Sequence, residues 1–197
     1  MCGRAWGNLW GVDRRAWELV RERAVPGTPP WAVVAAWAAV ACVVPSAAWR
    51  TAVGVGVPLG WSDTQLASQG IPGQGTVYVL ALSALSIAAA ALTLGLVQRW
   101  GERWPVWAPV VGGTAVPVWL AAGLATAGGL VVGVIVVQSV VHWSDVSGFA
   151  DRPQSGWALL MAACYAPAAL WPVLLAATTV AYVRRRTRRP AGRLRAG

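Results

Sequence analysis

The chain lacks lysine, has one histidine and carries only seven acidic residues among 197, so charged residues make up 12% of it. A soluble domain is about one quarter charged, whereas hydrophobic residues here reach 57%. A water-soluble fold would have too few polar side chains to cover its core. The composition therefore excludes an ordinary soluble protein and indicates a membrane protein.

Cysteine is scarce, and its spacing carries no chemistry. Cys2, Cys42 and Cys164 are the three cysteines, and no two of them form a Cys-x-x-Cys pair. Such pairs are typical of thiol redox and zinc sites. No cofactor fingerprint occurs either, and we predict no cofactor and no metal.

Charge is also missing from four long stretches, which contain no Asp, Glu, Arg or His: residues 31–49, 76–98, 115–141 and 157–183. Each has roughly the 20 apolar residues that a helix needs to cross a bilayer core. The sequence predicts an all-α polytopic membrane protein, an antiparallel four-transmembrane-helix bundle over residues 30–183. Ion-coupled pumps usually place ionisable groups at mid-membrane, so that class is disfavoured.

The sixteen arginines are unevenly distributed. Fourteen of them precede the first span, follow the fourth or lie between the second and third, which is one side of the four-span arrangement. Only Arg50 and Arg152 fall on the opposite side. The positive-inside rule then places both termini in the cytoplasm. The Arg-rich tail 184–197 is interpreted as a membrane anchor, and no nucleic-acid partner is expected. Arginine without lysine indicates a bacterial source, and we predict the cytoplasmic (inner) membrane.

Residues 1–29 are basic and amphipathic. Trp6, Trp10 and Trp17 recur at helical spacings among arginines, which predicts an interfacial helix. A cleaved signal is an alternative interpretation of the first apolar stretch. We expect an uncleaved span, because the charged region before it is much longer than in a signal peptide.

The predicted outer loops share one tripeptide, which occurs as Trp61, Ser62 and Asp63 and again as Trp143, Ser144 and Asp145. A duplicated helical hairpin, related by an axis along the membrane normal, would explain this repeat. Serine that caps two short helices independently would explain it equally well. Both interpretations stay open.

The same loops hold the candidate outer site. Arg50 lies on the side that disfavours positive charge, and a charge-assisted hydrogen bond to Asp63 or Asp145 would hold it there. His142, next to the repeated tripeptide, could instead bind a metal or act as a general base with the two aspartates. A solvated histidine is the simpler expectation.

The predicted inner loop between spans two and three combines charge with tryptophan. Its candidate contact residues are Arg99, Trp100, Glu102, Arg103 and Trp104. Such a loop either docks a partner or lies in the lipid headgroups.

Three strings, PSAAWR (45–50), GVPLGWSD (56–63) and WGERWPVWAPVVGG (100–113), resemble patterns of small uncharacterised four-span membrane proteins of actinobacteria. The resemblance implies an inner-membrane protein and marks Arg50 and the 100–113 segment as family features, without an activity. The family pattern has arginines after the double glycine, where this chain has Thr114 and Ala115.

For function, the sequence favours a non-catalytic accessory or assembly subunit that contacts membrane lipids, a membrane-protein partner or a second copy of itself. One alternative is a small permease or lipid-handling protein with a pocket in the outer leaflet. A second alternative is a membrane enzyme with an outer His/Asp site.

Overall fold

The computed structural model describes residues 23–104, 112–143, 147, 149 and 155–188. These residues form helices and connections, without a β-strand, so the predicted all-α class is confirmed for this part of the chain. The helices are α1 (Pro30–Gly54), α2 (Asp63–Ser68), α3 (Gln74–Gly95), α4 (Val118–Val141), α5 (Gly156–Tyr165) and α6 (Trp171–Thr187), with 3-10 segments at Arg99–Glu102 and Ala166–Leu170.

Four helical stretches are long and apolar enough to cross a membrane, as the sequence predicts. They are α1, α3, α4 and the continuous stretch Gly156–Thr187 that contains α5 and α6. The helix ends differ from the predicted spans. In particular, α1 continues to Gly54, so Arg50 lies inside a helix and not at its end. The predicted interfacial helix falls mostly on residues 1–22, outside the described residues.

Proline positions explain where these helices begin. Pro30 opens α1, and Pro117 directly precedes α4, because proline has no N–H to satisfy and its φ suits the first turn. Pro167 lies in the 3-10 segment between α5 and α6, and Pro172 lies in the first turn of α6. The fourth stretch thus changes helix type where proline removes the normal hydrogen bonds.

Helix α1 lies at the centre of the packing. Its small side chains Ala32, Ala36 and Ala39 are fully buried, which allows neighbouring helices to approach closely. Helix α1 packs against α3 and α6, and α6 packs against α4. Helix α4 buries none of its residues, which costs little if its apolar side chains face lipid.

The helices have their ends on two sides of the molecule. The termini side contains residues 23–29, the connection between α3 and α4, and the C-terminal end of α6. The α2 side is the opposite end, with α2 and the start of α5.

On the described residues, α3 and α4 make at most marginal contact, so a gap separates them.

Candidate functional site

The gap between α3 and α4 forms a cleft of about 660 Å³. Helix α1 and the fourth helical stretch line it between these two helices, and most of its lining side chains are aliphatic. Leu82 and Ala89 line it from α3, while Val132 and Ile135 line it from α4. We call this space the α3–α4 cleft.

Arg50 lines the cleft from α1, where it is half-buried. Its Nη2 donates a hydrogen bond to Ser86 Oγ at 3.3 Å, and Ser86 Oγ donates to the backbone oxygen of Leu82 at 2.7 Å. The serine hydroxyl can accept from Arg50 because its own proton is already directed at Leu82. Within the described residues, Arg50 has no acidic partner, and its Nε is buried without a hydrogen bond.

Hydroxyl groups from two further helices line the same cleft. Ser139 belongs to α4 and Tyr165 ends α5, and neither hydroxyl forms a hydrogen bond within the described residues. Trp143 also lines the cleft, and its ring packs edge-on against Tyr165 with centroids 5.7 Å apart. The polar groups of the cleft therefore come from all four membrane-length stretches.

The predicted ion pair of Arg50 with Asp63 does not form. Asp63 is exposed in the first turn of α2, and Arg50 turns instead to Ser86. Asp145, the other predicted partner, lies outside the described residues. His142 is exposed at the C-terminal cap of α4, with Nδ1 3.1 Å from the backbone oxygen of Gln138. The described chain brings no three His, Cys, Asp or Glu residues together as a metal site would require.

Ser62 in the first copy of the repeated tripeptide caps a helix. Its Oγ accepts from the backbone N–H of Gln65 at 3.3 Å, while its own N–H donates to Gln65 Oε1 at 2.9 Å. This reciprocal pair is a capping box. Ser144 lies outside the described residues, so the duplication stays a prediction. Trp61 packs edge-on against Phe149 with centroids 6.5 Å apart, in the same apolar cluster as Trp143.

A buried ion pair holds the termini side together. Arg185 Nη2 lies 2.6 Å from Glu102 Oε1, and the two side chains are only 4% and 16% exposed. Arg185 also donates to Thr28 Oγ1 and to the Leu96 carbonyl. Arg186 donates to the Val116 carbonyl at 2.9 Å and approaches Glu102 at 3.9 Å. One carboxylate thus links the connection between α3 and α4 to the end of α6.

The remaining candidate contact residues of this loop do not take part in that ion pair. Arg99, Trp100 and Arg103 are exposed, and the Trp100 indole donates to Gln98 Oε1 at 2.8 Å. Trp104 is half-buried, and its backbone N–H bonds to the Thr114 carbonyl at 3.0 Å. The sequence marks Glu102 as a contact residue but gives Arg185 only the role of a membrane anchor. A signal for the ion pair was present, because Glu102 is the single acidic residue between the second and third spans.

Comparison with known proteins brings no family to this arrangement: no family model, no curated protein and no solved structure matches the chain.

Proposed function

We propose that this protein is a lipid-handling membrane protein that holds a lipid of the bilayer in the α3–α4 cleft. The observation that supports the proposal is the uneven lining of the cleft, which is aliphatic along its length and carries Arg50, Ser139 and Tyr165 towards the α2 side. A lipid has the same division between apolar chains and a polar headgroup. Its headgroup would lie near Arg50 and its chains along Ala89 and Val132.

The depth of the cleft supports a bilayer lipid over a soluble ligand. On α1 the lining runs from Val43 to Arg50, and on α4 it runs from Val132 to Val140. At about 1.5 Å per residue these distances are about 10 and 12 Å. One leaflet contributes about half of a hydrocarbon core of about 30 Å. The cleft therefore covers most of the depth of one leaflet.

The proposed orientation follows from the arginines. The termini side carries the exposed Arg99 and Arg103 and the basic end of α6, so the positive-inside rule favours a cytoplasmic termini side. The cleft would then open to the outer leaflet of a bacterial cytoplasmic membrane.

The sequence alone favours an accessory subunit. The α3–α4 cleft supports lipid handling over that function, because its lining suits a lipid. The two proposals differ in what the protein carries out of the membrane. A subunit would retain a stoichiometric protein partner, whereas a lipid-handling protein would retain a lipid. An outer His/Asp enzyme is less well supported, because Asp63 and His142 are both exposed and no three His, Cys, Asp or Glu residues of the described chain come together.

Native mass spectrometry of the gently extracted protein tests the proposal. We expect one lipid retained per chain. Ile135→Trp should reduce that retention strongly, since Ile135 lines the cleft, whereas Val134→Trp should leave it unchanged, because Val134 lies on another face of α4. A chain that carries a protein partner and no lipid, or equal retention by both variants, would contradict lipid binding in the cleft.

A further inference from the structure

We infer that the α3–α4 cleft selects a lipid with an acidic phosphate headgroup that lacks a cationic group. This inference rests on the proposed function and adds the chemical class of the lipid. The juxtaposition that carries it is a half-buried arginine and two hydroxyl groups without hydrogen bonds, all lining one apolar cleft.

Arg50 brings a positive charge into the cleft. A guanidinium has five N–H donors and no acceptor, and within the described residues it forms a single hydrogen bond, to the neutral Ser86. A cation in an apolar setting is costly unless an anion lies beside it. No carboxylate lines the cleft in the described part of the chain. An occupant that supplies a negative charge would remove this cost.

The hydrogen-bond donors of the cleft indicate the shape of the anion. Arginine binds phosphate oxygens through two parallel N–H groups, and a phosphate has further oxygens that accept additional hydrogen bonds. Tyr165 and Ser139 supply hydroxyl donors from α5 and α4. Donors on separate helices suit a phosphate better than a planar carboxylate, because phosphate oxygens point in several directions.

The charge balance in the cleft disfavours a zwitterionic headgroup. The ammonium of such a lipid cancels the phosphate charge, so the pair Arg50 and headgroup would keep a net positive charge. No acidic side chain of the described cleft lining could balance that ammonium. We therefore expect phosphatidylglycerol to be preferred over phosphatidylethanolamine.

A competition between these two lipids, with identical acyl chains and equal concentrations in micelles of the full-length protein, tests the inference by native mass spectrometry. We expect phosphatidylglycerol to be retained at least about tenfold more, as one charge-assisted hydrogen bond would give. Ser86→Asp places a carboxylate beside Arg50 and should abolish the preference. Ser86→Asn, which has nearly the same shape as Ser86→Asp and no charge, should retain more of the preference than Ser86→Asp does.

Three other outcomes would overturn the headgroup inference. Equal retention of both lipids by the wild-type protein would overturn the headgroup inference while lipid binding in the cleft stands. Retention of neither lipid would overturn the proposed function as well. Displacement of bound lipid by excess inorganic phosphate would show that the site takes a free anion, and this too would overturn the inference. The wild-type ratio decides the matter even if Ser86→Asp does not fold.

Discussion

Glu102→Ala is expected to lower the free energy of unfolding by about 3 kcal/mol, since it removes the Glu102 carboxylate that lies beside the buried Arg185 guanidinium. Arg185 is only 4% exposed, so water replaces little of the lost interaction. The variant also removes the link between the α3–α4 connection and α6. Reversible unfolding in mixed micelles of mild and denaturing detergent would measure the change.

The control for this variant is Arg99→Ala, an exposed residue of the same loop. Surface changes of this kind usually alter stability by less than about 0.5 kcal/mol. The double variant Glu102→Ala with Arg185→Met should recover part of the loss, because it also removes the buried guanidinium that has lost the Glu102 carboxylate. If Glu102→Ala is no less stable than Arg99→Ala, the ion pair does not hold the termini side together.

Arg50→Gln is expected to lower the affinity for an acidic lipid by about 10- to 100-fold, which corresponds to about 1.5–3 kcal/mol for a hydrogen bond to a charged group. Glutamine removes the charge, and its shorter side chain also loses the contact with Ser86 Oγ that Arg50 Nη2 makes at 3.3 Å. A purely structural role of Arg50 would therefore lower the stability of the variant, and the free energy of unfolding is measured beside the affinity. Binding to the protein in lipid nanodiscs, measured over a series of phosphatidylglycerol contents, would report the loss.

Two variants separate charge from fold in that experiment. Arg50→Lys retains the charge and loses the paired donors of the guanidinium, so its affinity should fall between those of the wild type and Arg50→Gln. Arg99→Gln removes an exposed charge on the termini side and should bind as the wild type does. An Arg50→Gln protein with unchanged affinity would show that Arg50 does not contact the lipid.

The sequence predicts the four membrane-length helices well because each is a long run without charge. It places their ends less well. The predicted first span stops before Arg50, yet the helix continues to Gly54. A charge ends a hydropathy window, but it does not end a helix whose backbone hydrogen bonds continue. The long side chain of Arg50 is half-buried and donates a hydrogen bond to Ser86 on the neighbouring helix α3.

The site is only partly predictable for a related reason. Arg50 stands out in the sequence because positive charge is disfavoured on its side of the membrane. Ser86, Ser139 and Tyr165 do not stand out, since a single serine or tyrosine near a span end is common. Their importance depends on which helices are neighbours. The same holds for Glu102 and Arg185, which lie far apart in the chain and meet only through packing.

The most direct test of lipid binding in the cleft is to map where a lipid contacts α4. A phospholipid with a photoreactive acyl chain would be supplied at about one molecule per protein, and the crosslinked residues would be identified by peptide mass spectrometry. Ile135 and Val134 are 57% and 60% exposed, so exposure alone predicts equal labelling. A lipid held in the cleft predicts labelling of Ile135 well above that of Val134. Equal labelling of the two residues would contradict the proposed site.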